Sequence, residues 1–559
     1  MRRISIPWWL PVAFFLTAYI LPLGCRPLFA PDEFRYAEIP RAMLHNGDWV
    51  SPRLLGVRYF EKPAFGYQLT AAAMAMFGEN RFADRLPSAL AAGMTALIIA
   101  VYLKRRTGNR QTALLGSLMW LGAGLVYGIG TYAVLDMQTT CFLAFGMFLY
   151  HMALFEESRR TRWMLLALSG GGFGLAFLTK GFLAFAVPAV AILPYLIWSR
   201  QYRKILTTPW IPLLAVALVT LPWSLEIHSR EPYFWHYFFW VEHVQRFFSS
   251  ETSGQHPAPF WLLVPVLAGG IFPAALAAFG AFAALKKHFH TFLHNDLCRY
   301  LTCFLVFPFL LFSASSGKLA TYVLPCFPAA AALLAIGAYR YLREGGSKLF
   351  DWPLQVLAWL LPAAAAGFTV MQLFIFRLFG PGETIAWIAA VTAVVAWAVL
   401  LWWFRNDASR RLSAFFGGMA LVFAAGQAAV PDLVTAGKAQ ENAFEKFSVI
   451  LPPDAVVAAS RTTMHAAGWV LGRDDIDFFL EPGELEDSVE KSFPAEYGHR
   501  LYSYEKLSDL IARTDRPPVV VAVKIKPEKY DRDRAEYTGK LGAVPIMECY
   551  IDEIWFAYY

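Results

Sequence analysis

Residues 182–198 read FLAFAVPAVAILPYLIW, seventeen consecutive positions without a charge. One end meets the tight turn Thr179-Lys180-Gly181, and the other runs into Ser199-Arg200-Gln201-Tyr202-Arg203-Lys204. The hydrocarbon core of a bilayer, about 30 Å thick, takes an apolar helix of roughly 17–25 residues. The run therefore reads as a membrane span with a nearly uncharged turn on one face and a basic loop on the other. The same alternation continues outward in both directions. Thirteen spans are predicted, near 7–24, 86–103, 111–130, 137–155, 163–179, 182–198, 208–227, 260–285, 299–315, 319–338, 353–375, 384–404 and 412–430. The first follows Arg2 and Arg3, but it exceeds the roughly 7–15 apolar residues of a secretory leader and no small-residue cleavage pattern follows it. It reads as an uncleaved first helix.

Composition agrees. Of the 559 residues 57% are hydrophobic and only 16% charged, against about 25% charged in a soluble domain. An aromatic content of 16% excludes a disordered chain. The net charge of +7 sits in short loops between apolar runs rather than on a soluble face, so no nucleic-acid partner is expected. Cys25, Cys141, Cys298, Cys303 and Cys326 lie in or beside apolar segments and Cys549 stands alone, which gives neither a disulfide framework nor a zinc-type spacing.

The loops assign the sides. One set holds 21 lysines and arginines, including Lys104-Arg105-Arg106, Arg159-Arg160, Lys286-Lys287, Arg340 with Arg343, and Arg410-Arg411; the alternate short turns hold only Lys180, Lys318 and Arg377. The positive-inside rule puts the first set in the cytoplasm. An odd number of spans then places the C-terminus outside. The predicted domains are a transmembrane part, 1–430, whose first outer loop 25–85 carries interfacial helices at 36–46 and 66–77, and a soluble α/β domain, 431–559. In that domain Ala455–Ala459, Val519–Val523 and Ile554–Tyr558 read as strands and Tyr504–Thr514 as a helix. Gly170-Gly171-Gly172, inside a span, reads as a close helix–helix contact.

The unusual polar residues fall on the outer side. Asp32, Glu33 and Arg35 open the first loop, and Arg58-Tyr59-Phe60-Glu61-Lys62-Pro63 closes it. Asp136, Lys180, the group Glu242, His243 and Arg246, and Lys318 with Tyr322 occupy four further turns. Terminal lysines commonly snorkel and an acid commonly caps a helix. Ionisable groups set between apolar spans are nevertheless costly and usually functional. No phosphate-cradling Gly-rich loop, zinc-protease motif or nucleophile elbow competes.

Ala30-Pro31-Asp32-Glu33-Phe34-Arg35-Tyr36-Ala37-Glu38, Arg58–Pro63, Gly130–Asp136, Thr179–Ala184 and the aromatic run Arg230–Arg246 resemble the bacterial lipid A 4-amino-4-deoxy-L-arabinose transferases. These are membrane-embedded lipid-phosphate-sugar glycosyltransferases of the GT-C type, related to protein O-mannosyltransferases. The resemblance covers essentially the whole chain. One departure is Ala320, where the family's turn has proline. The resemblance implies an all-α polytopic fold with a small outer α/β domain in the Gram-negative inner membrane. It implies inverting transfer of aminoarabinose from undecaprenyl phosphate to lipid A phosphate at the periplasmic face, with membrane lipids around it. Asp32, Asp136 and Glu33 are then the expected catalytic residues. Lys62, Arg35, Tyr59, Lys180, Arg246, Lys318 and Tyr322 are the expected phosphate binders, and Glu61 with His243 the ligands of a divalent cation such as zinc. Two other classes remain open at this point: a transferase of the same fold acting on a protein or another glycan, and a non-enzymatic lipid or sugar transporter.

Overall fold

A computed structural model describes residues 5–245 and 258–559. The chain forms two compact units. The first comprises Met1–Leu23, Glu61–Gly66 and Arg85–Ala429; the second comprises Gly24–Phe60, Tyr67–Asp84 and Val430–Tyr559. The first loop thus belongs largely with the C-terminal residues, whereas the sequence had grouped it with the transmembrane part.

Each of the thirteen predicted stretches contains helix. Among the described residues, seven helices are long and apolar enough to cross a membrane, including Arg81–Thr107, Arg159–Lys180 and Asp296–Ala314. Two stretches expected to be continuous are interrupted. The segment 111–130 splits into Arg110–Leu121 and Gly124–Gly130, and 260–285 splits around Pro273 into Leu263–Gly270, a short 3₁₀ turn and Phe279–Lys287. The interruptions answer one another. The Gly124 N–H donates to the Phe272 carbonyl at 2.8 Å, and Ala123 bridges Pro273. An unpaired backbone group in hydrocarbon costs several kcal/mol, so a broken helix there needs such a partner. A side chain at Gly124 would put its Cβ 2.8 Å from that carbonyl oxygen.

Small residues set the other close approaches. A Cβ at Gly170 would lie 2.2 Å from the Pro212 carbonyl oxygen, and one at Gly172 would lie 3.0 Å from that of Phe142. Two of the three glycines expected at a helix contact therefore make it; around Gly171 there is open space.

In the second unit, Asp32–Asn46 is a helix, followed by the hairpin β1 (Arg53–Leu54) and β2 (Val57–Arg58) and by the helix Phe65–Phe77, which joins this unit from Tyr67. The C-terminal residues build a six-stranded sheet from β3 (Val456–Ser460), β4 (Asp477–Phe479), β5 (Leu501–Tyr502), β6 (Val519–Lys524), β7 (Met547–Ile551) and β8 (Ile554–Tyr558). The strand order is β5-β4-β3-β6-β8-β7. β5, β4, β3 and β6 are parallel, and β8 pairs antiparallel with both β6 and β7. The fully buried run of β6, Val519 to Val523, is what a central strand covered on both faces requires. The first loop is stitched to this part of the chain. Ala30 N–H donates to the Lys438 carbonyl at 2.9 Å, Arg500 donates to the Leu55 carbonyl at 2.7 Å, and Arg81 pairs with Glu441 at 2.9 Å.

Candidate functional site

In the first unit the helix Arg159–Lys180 stops at Gly181, whose φ of 91° and ψ of −149° lie in a region essentially reserved for glycine. That stop leaves the Lys180 ammonium at a helix C-terminus, where the helix dipole favours a cation. Asp136 opens the helix Asp136–Ala153, where the dipole favours a carboxylate. The two meet at 2.7 Å, both largely buried. The Tyr322 ring centre lies 5.7 Å from the Lys180 ammonium, and Asp136, Lys180 and Tyr322 line one small cavity.

Lys62 lies in the short segment Glu61–Gly66. Its ammonium donates to the Glu61 carbonyl at 2.9 Å and to the Glu242 carboxylate at 2.6 Å. Gly66 ties this segment to Asp136 and Lys180: a Cβ there would meet Leu135 at 2.5 Å and Thr179 at 3.2 Å. His243 packs against the Gly181 turn. Its Nδ1 lies 2.6 Å from the Phe238 carbonyl, and its Nε2 would be 3.0 Å from a Cβ on Gly181. The structure thus gathers Lys62, Glu242, His243, Lys180, Asp136 and Tyr322 around one glycine turn. Gly181→Ala is expected to reduce transfer at least tenfold, because alanine in that backbone region is strained by about 1–3 kcal/mol and its methyl would displace Phe238 and His243. Transfer rates beside the thermal midpoint of the purified protein check this.

Lys318 is placed differently. Buried, it donates to the carbonyls of Ala258, at 2.9 Å, and Ser315, so its charge finishes the helix Asp296–Ala314. Arg246 lies outside the described residues.

In the second unit Arg35 holds the half-exposed Asp32 through Nη2 at 2.6 Å and Glu484 through Nη1 at 2.8 Å. Glu484 in turn lies 3.3 Å from Nε2 of His465, which is 2% exposed. Tyr59 is buried; burial works against the Arg35 charge, but its neighbours, Glu484 and Asp32 among them, hold the guanidinium pKa well above its ordinary value. Glu33 faces elsewhere. Fully buried, its two oxygens accept from Arg26, one at 3.1 Å, and from the Phe29 N–H at 3.0 Å. These bonds fix Glu33 at the entry of the helix Asp32–Asn46.

Glu484 and His465 carried no signal in the sequence, since 449 residues separate Arg35 from Glu484. Burial would push the Glu484 carboxyl up, but the His465 hydrogen bond, the His465 charge and Arg35 together hold it well below the ordinary range. A depressed folded-state pKa means that Glu484 stabilises the fold above its unfolded value of about 4.5, and that this contribution is lost as pH falls below it. Glu484→Gln is therefore expected to lower stability by roughly 1–3 kcal/mol at pH 7 and to flatten the loss of stability below about pH 5. Thermal midpoints of both proteins across pH 4–7 read this out.

For a metal ion the donors are few. The hydrogen bond at His243 Nδ1 fixes its ring as in many metal-bound histidines, and Glu61 lies beside Lys62. Among the described residues, however, no three His, Cys, Asp or Glu side chains converge on one point.

Residues 7–238 match the family model "Dolichyl-phosphate-mannose-protein mannosyltransferase". A relative from Aeromonas salmonicida is 37% identical over 86% of this chain and 87% of its own length, and one from Erwinia tasmaniensis is 38% identical over 85% of each. Both are named undecaprenyl phosphate-alpha-4-amino-4-deoxy-L-arabinose arabinosyl transferase. The crystal structure of ArnT from Cupriavidus metallidurans bound to undecaprenyl phosphate superposes with a TM-score of 0.79 at 19% identity, covering 98% of this chain and 97% of that one. Its apo form superposes with a TM-score of 0.77. The fold is therefore the multi-span GT-C fold of that enzyme. With this identity sustained over most of both lengths, the chain belongs to the undecaprenyl phosphate-aminoarabinose arabinosyl transferases, membrane glycosyltransferases that use a polyprenyl-phosphate sugar donor.

Proposed function

We propose that the protein transfers 4-amino-4-deoxy-L-arabinose from undecaprenyl phosphate to a phosphate group of lipid A, on the periplasmic face of the inner membrane. Sequence relatives named for this donor support the reading. The observation that carries it is the gathering of Lys62 and Lys180, each on a carboxylate, with Tyr322 around the Gly181 turn.

The acceptor makes that arrangement sensible. A phosphate monoester has its second pKa near 6 and is largely ionised at neutral pH. It needs little help from a general base, unlike a hydroxyl acceptor. The harder task is to bring two anions together and stabilise the departing carrier phosphate. Preorganised cations aimed at developing negative charge perform this task best in a site that excludes water. Lys62 and Lys180 supply them. Without a substrate, Glu242 and Asp136 hold the two ammonium groups in place; a phosphate oxygen then shares or displaces the carboxylates. Asp32, bonded to Arg35, supports positive character at the sugar carbon as the carrier leaves, or receives the sugar's ammonium. Arg35 and Tyr59 orient Asp32, and Lys318 shapes its loop.

A cation held by Glu61 and His243 would draw its remaining ligands from substrate or solvent; transfer measured after chelation and after zinc addition tests that role. Mass spectrometry of lipid A from cells with and without this chain tests the main reading. A mass increase matching aminoarabinose on phosphate supports it. Unchanged lipid A with a modified protein or glycan would transfer the activity to another acceptor class.

A further inference from the structure

The first unit holds a second cavity, of about 1500 Å³, walled by apolar side chains such as Leu267, Ile271, Phe282, Leu305 and Leu333. It is larger than the roughly 300–1000 Å³ of a small-molecule site. One end is ringed by Arg106, Lys287, His288, Arg340 and Arg343, with Asp296 and Glu344 as the acids.

The cavity is remote from the Lys180 site. Its rim residue Asp296 is 3.0 Å from His151, near the C-terminus of the helix that Asp136 opens. Fifteen residues at 1.5 Å each put these two ends about 22 Å apart. The cavity's charged end therefore belongs to the opposite membrane face, the one whose loops carry the excess of lysine and arginine.

Charge at the rim is unbalanced. Asp296 is shared among Arg106 at 3.4 Å, His151 and Tyr195 at 2.7 Å. Glu344 is shared among Lys287 at 2.8 Å, His288 at 2.8 Å and Arg340 at 3.2 Å. Four permanent cations thus face two carboxylates, and Arg343 has no carboxylate partner among the described residues. Basic pockets between transmembrane helices on the cytoplasmic side are suited to phosphate head groups of anionic lipids. The apolar walls continue from that rim to Ile271, next to the Phe272 carbonyl that pairs with Gly124. Such a depth accepts acyl chains and excludes a soluble anion.

We infer that this cavity binds one anionic phospholipid of the cytoplasmic leaflet, its chains along the apolar walls and its phosphate against Arg343, Lys287 and Arg340. The leaflet rests on the orientation given under the proposed function. The binding chemistry does not, and it involves neither sugar donor nor acceptor.

Native mass spectrometry of the full chain, purified in neutral detergent and supplied with phosphatidylglycerol or phosphatidylcholine, tests it. Wild-type protein should retain one phosphatidylglycerol at least tenfold better than phosphatidylcholine. Arg343→Gln with Lys287→Gln, both at the rim, should abolish that preference. Ala268→Trp, which fills the apolar part and leaves every charge, should lower retention of both lipids. Inorganic phosphate at millimolar concentration should not displace the lipid. Equal retention of the two lipids by the wild type, an undiminished preference in the glutamine variant, unchanged retention in Ala268→Trp, or displacement by phosphate alone would each overturn the assignment. Sugar transfer is scored separately on the same preparations, so loss of that activity with lipid retention intact counts against the proposed function alone.

Discussion

Asp32→Asn is expected to abolish sugar transfer, with a loss of at least about 10²–10³-fold, while the protein stays folded and donor binding remains measurable. Asparagine keeps the size of the side chain and an oxygen for Arg35, which now bonds Asp32 at 2.6 Å. It removes one negative charge from a place that must tolerate cationic character at the sugar carbon. Stability should change little, because Asp32 is half-exposed and Arg35 keeps its second partner, Glu484, at 2.8 Å. Transfer to purified lipid A alongside donor binding measures both quantities. A near-normal rate would reduce Asp32 to a helix-terminal acid and move attention to Asp136.

Lys62→Ala should weaken donor binding and transfer together, and its consequence should reach the cell surface. Lys62 is held at 2.6 Å by Glu242, and both side chains are largely buried. Removing one partner of a buried pair costs about 3–5 kcal/mol because the other charge is left alone. The second variant is therefore Lys62→Ala with Glu242→Gln, which should recover stability without recovering transfer. Lys62→Arg should rescue poorly, since a planar fork does not replace a compact point charge. A lipid A phosphate carries about −1.5 to −2 charges near neutral pH, and esterification by an aminosugar leaves one negative charge beside one ammonium. Each basic residue of a peptide near an anionic membrane contributes about 1 kcal/mol of attraction, so a modified surface attracts cationic peptides less. Cells carrying the wild-type chain with its donor pathway should resist polymyxin-like peptides, and cells carrying Lys62→Ala should be sensitive. Full resistance from well-expressed Lys62→Ala protein would remove this lysine from the phosphate site.

The helical frame was legible because its signal is local: an uninterrupted run such as Leu183–Trp198 declares itself within seventeen or so residues. The interruptions at Gly122–Ala123 and Phe272–Pro273 were hidden because each is tolerated only through the other, and hydropathy does not register a pairing 150 residues apart. In the C-terminal sheet, the central β6 and its neighbours β3 and β8 stood out as β-branched and aromatic runs. The short β4 and β5, three and two residues long, gave no period to read. Site residues divided in the same way. Asp136 and Lys180 were visible as charges between apolar spans. Glu33 carried an equally conspicuous charge beside Asp32, and its bonds to Arg26 and the Phe29 amide could not be read from the sequence. Glu484 and His465 looked like ordinary surface residues of a soluble domain.

The second unit draws on Gly24–Phe60, Tyr67–Asp84 and Val430–Tyr559, and this interleaving has a consequence for biogenesis. Ribosomes add about 5–20 residues per second, so the first loop emerges on the order of tens of seconds before the strands that will cover it. During that interval Arg35, Arg41 and Arg81 are without Glu484, Asp474 and Glu441, their eventual ion partners. The helix Asp32–Asn46 must wait with much of its buried face open. Such a waiting period exposes the nascent chain to proteases and favours assistance from a chaperone. A chain truncated near residue 430 would carry all seven long apolar helices of the described residues and still never leave that state, so quality control would remove it as an orphaned loop rather than as a misinserted helix bundle.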